Sequence, residues 1–220
     1  MYKDFEKIVQ QKNKLLKEEY PKQYLQSINE VFVTCASQLF CYRMRLFSLV
    51  EPLFEQYYQQ ISNSEEHAQM RYCSSWGELM ANEVPDKQEV IQKIFAALRA
   101  REQEEQHRHH AVVGPQSDQI TFLINGKDAS LYGSQDQQRS IVLAWKLAEV
   151  ELIHQLLGVH PVLLLDDVMS ELDATRRSQL TRFALQAAQT FITTTTLEYF
   201  EPLLVSQANI IQLPYVEEVE

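Results

Sequence analysis

Pro161-Val162-Leu163-Leu164-Leu165-Asp166-Asp167-Val168-Met169-Ser170-Glu171-Leu172-Asp173 is the stretch that decides the fold of this chain. Val162 to Leu165 form an unbroken apolar run that ends on two adjacent carboxylates. Such a run suits a strand buried on both faces, as in a parallel sheet. Two acids at the end of that strand are costly to bury unless something positive meets them. In open α/β sheets, ligands gather at the carboxyl ends of the strands. The pattern is explained by a magnesium ion on a nucleotide, with Asp166 in the metal shell and Asp167 facing an attacking water.

Working outward, Phe191–Thr195 reads as the next strand, and Ala174–Gln189 as the helix between the two. Strand, helix, strand in that order makes a βαβ crossover with a parallel pair. A short helical piece at Leu197–Leu204 and a last strand near Ile210–Leu213 follow, and Glu217–Glu220 reads as a frayed acidic tail. Upstream, Gln135–Leu157 reads as a long helix. Short strands are expected at Ala111–Val113, Ile120–Ile124 and Ser130–Tyr132, around turns at Gly114-Pro115 and Asn125-Gly126.

The texture before Ala111 is different. The first 76 residues contain no glycine. Met1–Tyr20 carries Phe5, Ile8, Val9, Leu15 and Leu16 among charged residues, an amphipathic helix. Pro21 ends it. Gln23–Ile61 reads as one long helix, in which Pro52 makes a kink or starts a second segment. Asn63 and Ser64 supply a turn, Met70–Trp76 a short strand, and Lys87 to about Gln106 a further helix. The expected organisation is α/β in class: a helical arm over residues 1–110, then an α/β portion with a mainly parallel sheet over residues 111–220.

Bulk properties narrow the function. The chain has 220 residues, a formal net charge of −10 and 45% hydrophobic residues. A core is affordable, and a surface basic throughout is excluded, so any nucleic-acid contact must be local or come from a partner chain. Cys35, Cys41 and Cys73 form no CxxC pair and suit reduced thiols. Tyr2–Lys17 is too polar for a signal peptide, and no apolar run approaches the ~20 residues that span a bilayer. A soluble, cytoplasmic protein without a membrane segment is expected. The glycines at 77, 114, 126, 133 and 158 allow no GxxxxGK[ST], so this sequence holds no phosphate loop of the Walker A kind.

Gly133-Ser134-Gln135-Asp136-Gln137-Gln138-Arg139-Ser140 adds a second motif. Ser134 and Gln137 have capping-box spacing, so a helix begins here. Its unpaired N–H groups suit a phosphate, although an ordinary capped helix has the same spacing.

The succession KNKLLKE, GPQSDQITFLINGKD, YGSQDQQRSIVLAWKLAEVELI, PVLLLDDVMSELDATRR and FITTTT resembles the carboxyl-terminal portion of RecF-like proteins. These are ABC-type ATPases of bacterial recombinational repair, folded as an ATPase head with a helical arm inserted between its sequence halves. The resemblance implies Asp166 as the Walker B magnesium ligand and Asp167 as the catalytic base. It implies Ser134 and Gln137 as signature residues that reach ATP across a dimer interface, and Ser170 and Asp173 as the D-loop along that interface. It implies ATP and Mg2+ as cofactors and an ATP-dependent homodimer. It further implies DNA, single-stranded or gapped, as a partner, with RecO, RecR and RecA-type proteins.

Three features depart from that pattern. The Walker A half is missing, so the chain is not expected to hydrolyse ATP by itself. Asp136 stands at the signature glycine, and a carboxylate near phosphate costs about 1–4 kcal/mol at surface-like to water-like dielectric. The GPHRDD-type loop reads Gly114-Pro115-Gln116-Ser117-Asp118-Gln119. Two readings follow: a RecF-like repair ATPase whose phosphate loop is supplied elsewhere, or a non-hydrolysing module that binds a partner protein. His107–His110 reads as a metal or titrating cluster, or as a helix end answering its dipole. Lys12, Lys14, Lys17, Arg43, Arg45, Arg99 and Arg101 read as phosphate contacts or as solvated helix faces, and Tyr57 and Tyr58 as base-stacking or packing residues.

Overall fold

A computed structural model describes residues 2–18, 21–62, 66–80, 85–186 and 189–213. The turn at Asn63-Ser64 and the tail at Glu217–Glu220 lie outside the described residues. Helix α1 spans Tyr2–Leu15, and α2 spans Lys22–Ser62 with Pro52 inside it. The helix continues through the proline because both halves are anchored: Phe40, Met44, Phe47, Val50, Phe54 and Tyr58 are all buried. Packing of this kind outweighs the hydrogen bond that proline removes. Phe5 meets Phe32 at 5.6 Å between ring centroids, which sets α1 against α2.

Lys12 is neither a phosphate contact nor part of a solvated face. It is 0% exposed, its Nζ lies 2.7 Å from Glu105 Oε2, and it sits over the Phe32 ring. Burial pushes its pKa down, opposed by the Glu105 carboxylate. The expected helix from Lys87 is two segments, α3 (Lys87–Ala100) and α4 (Glu102–Arg108), broken at Arg101. The break lets Glu105 turn inward to Lys12, where its other oxygen accepts the Val112 amide at 3.0 Å. His109 ends α4 in a left-handed conformation, with Nδ1 2.9 Å from the Leu16 carbonyl oxygen.

A four-stranded antiparallel sheet lies on this helical frame in the order β2-β1-β3-β4. Its strands are β1 (Ala68–Ser74), β2 (Gly77–Met80), β3 (Gln119–Ile124) and β4 (Lys127–Asp128). β2 escaped the sequence reading because Gly77-Glu78-Leu79-Met80 has little β-propensity. Pairs such as Arg71↔Thr121 tie β1 to β3 across 50 residues of chain. Ala111–Val113 is buried but forms no strand. Gly114 follows with φ +118°, and a Cβ there would lie 2.6 Å from Phe32 Cζ, so only glycine fits. Ser130–Tyr132 is helical rather than extended: Asp128 caps α5 (Ala129–Tyr132) by accepting the Ser130 amide.

Helix α6 (Gln135–Leu157) packs along α2 through Ile141, Ala144, Leu147 and Ala148, all buried. Beyond it, β5 (Val162–Asp166), α7 (Ala174–Gln186) and β6 (Gln189–Thr193) form the expected crossover, with β5 and β6 parallel. This parallel sheet is small, with two strands. β5 is not buried on both faces. Leu163 and Leu165 enter the core, whereas Val162 and Leu164 are 52% and 72% exposed, because no described element covers that side. Helix α8 (Pro202–Gln207) follows, and Ile210–Leu213 is exposed and not a strand. Cys35, Cys41 and Cys73 are free thiols.

Candidate nucleotide site

Asp166 is the last residue of β5 and is exposed. Register places it opposite Thr193, the last residue of β6. The Thr193 hydroxyl donates to Asp166 Oδ1 at 2.6 Å and accepts the Asp167 amide at 3.0 Å. Asp167 is exposed and left-handed, with φ 49° and ψ 23°. That conformation is uncommon outside glycine, and aspartate is among the residues that tolerate it. The chain therefore turns sharply as soon as the strand ends, and both carboxylates stand at the strand terminus in solvent.

A 3-10 turn, Val168–Glu171, carries the chain away. Met169 anchors it in the core at 0% exposure, and the Ser170 hydroxyl donates back to the Asp167 carbonyl at 2.8 Å. Asp173 caps α7 by accepting the Arg176 amide at 2.9 Å, and its other oxygen pairs with the Arg176 guanidinium. The Arg176 amide and its charge hold the Asp173 carboxyl below the ordinary carboxylate range.

The second motif stands at the start of α6. Ser134 Oγ accepts the Gln137 amide, and Gln137 Oε1 accepts the Ser134 amide, a reciprocal capping box. Gln137 Nε2 also donates to Glu66 Oε1 at 2.7 Å, while Tyr58 donates to the other Glu66 oxygen at 2.9 Å. Gly133 makes the approach possible, since a Cβ there would lie 2.5 Å from the Ala129 carbonyl oxygen. Asp136 is exposed in the first turn.

Two arginines join the motifs. Arg176 is 13% exposed; its Nε donates to Ser140 Oγ at 2.8 Å and its Nη2 to the Asp136 carbonyl at 3.2 Å. Arg139 donates to the Glu171 carbonyl at 3.0 Å. The structure thus ties Glu171 and Asp173 to the start of α6, whereas the Ser170 hydroxyl bonds back to Asp167 and the side-chain bonds of Ser134 and Gln137 go to each other and to Glu66. Arg139, Arg176, Thr193 and Glu66 were given no role from the sequence alone. A signal existed for Arg176: an arginine three residues after a helix-capping aspartate sits within reach of it.

Among the described residues, no group of three or more His, Cys, Asp or Glu side chains is placed to hold a metal. The site nevertheless fits Mg2+, which is commonly bound through one or two carboxylates with phosphates and waters completing the shell. Asp166 offers a hard oxygen at the strand end, with its other oxygen fixed by Thr193.

Both the sequence and the fold of the chain are similar to those of known proteins. The chain is 36% identical over 211 residues to the DNA replication and repair protein RecF of Geobacillus thermodenitrificans, matching 94% of this chain and 56% of that protein. It is 34% identical over 214 residues to RecF of Staphylococcus epidermidis, matching 95% of this chain and 57% of the relative. The chain belongs to the RecF family. Its fold also matches the solved recombination mediator protein RecF-ATPrS in the RecFOR pathway, with a TM-score of 0.77 and 30% identity, over 90% of this chain and 53% of that one. The corresponding RecF-ATP structure matches with a TM-score of 0.76. No protein-family model matches. The chain spans about half the length of the RecF relatives it matches.

Proposed function

We propose that this chain provides the Walker B, signature and D-loop portion of a RecF-like DNA replication and repair ATPase, with residues 1–110 as its helical arm and 111–220 as its head portion. The observation that carries the reading is the end of β5: Asp166 and Asp167 stand side by side in solvent, held by one threonine of the neighbouring parallel strand. In this reading Asp166 holds Mg2+, and Asp167 takes the proton of the attacking water. The magnesium ion supplies charge neutralisation on the phosphates. Ser134 and Gln137 face the nucleotide of a second head, and Ser170 and Asp173 line that junction. Hydrolysis then requires a phosphate loop from polypeptide outside residues 1–220.

As a RecF-like protein it acts in the cytoplasm on single-stranded or gapped DNA, with RecO, RecR and a RecA-type recombinase. Support comes from the RecF relatives and from a described chain with no helix long and apolar enough to cross a membrane.

One observation favours a second reading, a partner-binding module without hydrolysis. Asp136 puts a carboxylate in the first turn of α6, where phosphate would approach. Turnover separates the two. Phosphate release is measured with gapped DNA for the chain co-expressed with a RecF segment that bears the phosphate loop. The first reading predicts turnover that Asp167→Asn lowers by about 10²-fold or more. ATP binding without turnover, in Asp136→Gly as well as the parent, would establish the second.

A further inference from the structure

The side-chain amide of Gln137 has two chemically different ends, and its neighbours decide which way round it sits. Its Oε1 accepts the Ser134 amide at 2.8 Å, while its Nε2 donates to Glu66 Oε1 at 2.7 Å. A backbone N–H on one side and a carboxylate on the other permit only this orientation. A flipped amide would set oxygen against oxygen and N–H against N–H. Ser134 Oγ in turn accepts the Gln137 amide at 3.2 Å, a bond that does not use its own hydroxyl proton. The acceptor atoms of both side chains are thus engaged within the capping box. The protons that the box does not use are what an anion binds at a helix start.

Glu66 belongs to neither motif. It stands in the connection between α2 and β1, and its Oε2 accepts the Tyr58 hydroxyl at 2.9 Å. Tyr58 is buried near the end of the 41-residue α2, with its ring 6.2 Å from that of Phe54. One carboxylate therefore joins α2 to the first turn of α6 through two bonds of the charge-assisted kind, shorter and stronger than neutral ones. We infer that Glu66 is a positioning residue for the start of α6: it sets Gln137 the right way round for a phosphate and ties that setting to Tyr58 of α2. The role rests on the proposal that Ser134 and Gln137 face the nucleotide.

Two measurements test it, one on the bonds and one on their use. NMR of the 220-residue chain reads hydrogen exchange of the Ser134 amide and the Gln137 side-chain protons. Glu66→Ala should speed both by about tenfold or more, the loss of a bond to a charged group. Tyr58→Phe should speed them severalfold in the parent and not at all in Glu66→Ala, because its effect passes through that carboxylate. Gln137→Glu sets two carboxylates against each other and should also lose protection. Adding Glu66→Gln to it exchanges acid and amide, remakes each bond and should restore the Ser134 amide. Unchanged exchange in Glu66→Ala, or no rescue by the exchanged pair, overturns the inference. In the complex co-expressed with the RecF segment that bears the phosphate loop, Glu66→Ala should lower kcat for ATP by about tenfold with KM little changed. A parent complex that turns over beside an equally active Glu66→Ala overturns the role alone. A parent complex without turnover overturns the ATPase reading, and the role falls with it.

Discussion

Thr193 donates its hydroxyl proton to Asp166 Oδ1 at 2.6 Å and, through the same oxygen, accepts the Asp167 amide at 3.0 Å. One side chain thus orients the first acid and pins the left-handed backbone of the second. Thr193→Val keeps the shape and removes both bonds. It should cost about 1–2 kcal/mol, the scale of a bond to a charged group on an exposed edge. Thr193→Ser should recover most of it. Urea midpoints of the three proteins check this; equal midpoints for parent and valine variant would show that the threonine holds nothing.

Arg176 offers a second test. Its guanidinium bonds Asp173, Ser140 Oγ and the Asp136 carbonyl, coupling the SELD turn to the first turn of α6. Arg176→Gln should destabilise by about 2–3 kcal/mol, since charge-assisted bonds in a mostly buried setting are lost. Arg176→Lys should restore little, because lysine lacks the planar fork. Chemical unfolding reads the result, and full rescue by lysine would contradict the bridging geometry.

Much of this was legible in the sequence because local rules and tertiary packing agree there. Ser134 and Gln137 announced the start of α6 by spacing alone, and the alternation of Val162–Leu165, α7 and β6 announced a parallel pair. What failed was anything decided by distant contacts. Lys12 looked like a surface cation because nothing nearby in sequence reveals Glu105, 93 positions on. β2 was missed because its pairing with β1, not its composition, makes it a strand. Ile210–Leu213 has strand-like residues but no described neighbour to pair with, and apolar content alone does not make a sheet.

The buried Lys12–Glu105 pair gives a third prediction. Removing one partner leaves a desolvated charge, which costs about 3–5 kcal/mol. Lys12→Met should therefore be strongly destabilising, and Lys12→Met with Glu105→Leu together less so than Lys12→Met alone. Melting temperatures of the single and double variants test this. A double variant that equals the sum of the singles would show that the charges do not interact.

Asp118 predicts a pH dependence. Burial pushes its carboxyl up to about 6, opposed by the Tyr72 hydroxyl, which donates to it at 2.7 Å, and by the Arg43 charge. An acid whose folded pKa is raised binds its proton more tightly in the native state. Its contribution is favourable at low pH and is lost as pH climbs from about 4 through about 6, a change of about 2–3 kcal/mol. Asp118→Asn keeps an acceptor for Tyr72 and removes the buried charge. It should stabilise the protein at pH 8 and change it little at pH 4. An identical effect at both pH values would mean that Asp118 is not titrating in this range.

The central claim is that Asp166 and Asp167 serve a magnesium-bound triphosphate completed by other RecF polypeptide. Calorimetric titration of ATP into the co-expressed complex, with and without Mg2+, tests it most directly. The account predicts that Mg2+ tightens ATP binding in the parent protein and that Asp166→Asn abolishes this gain while ATP binding without Mg2+ is retained. An undiminished magnesium effect in Asp166→Asn would contradict it.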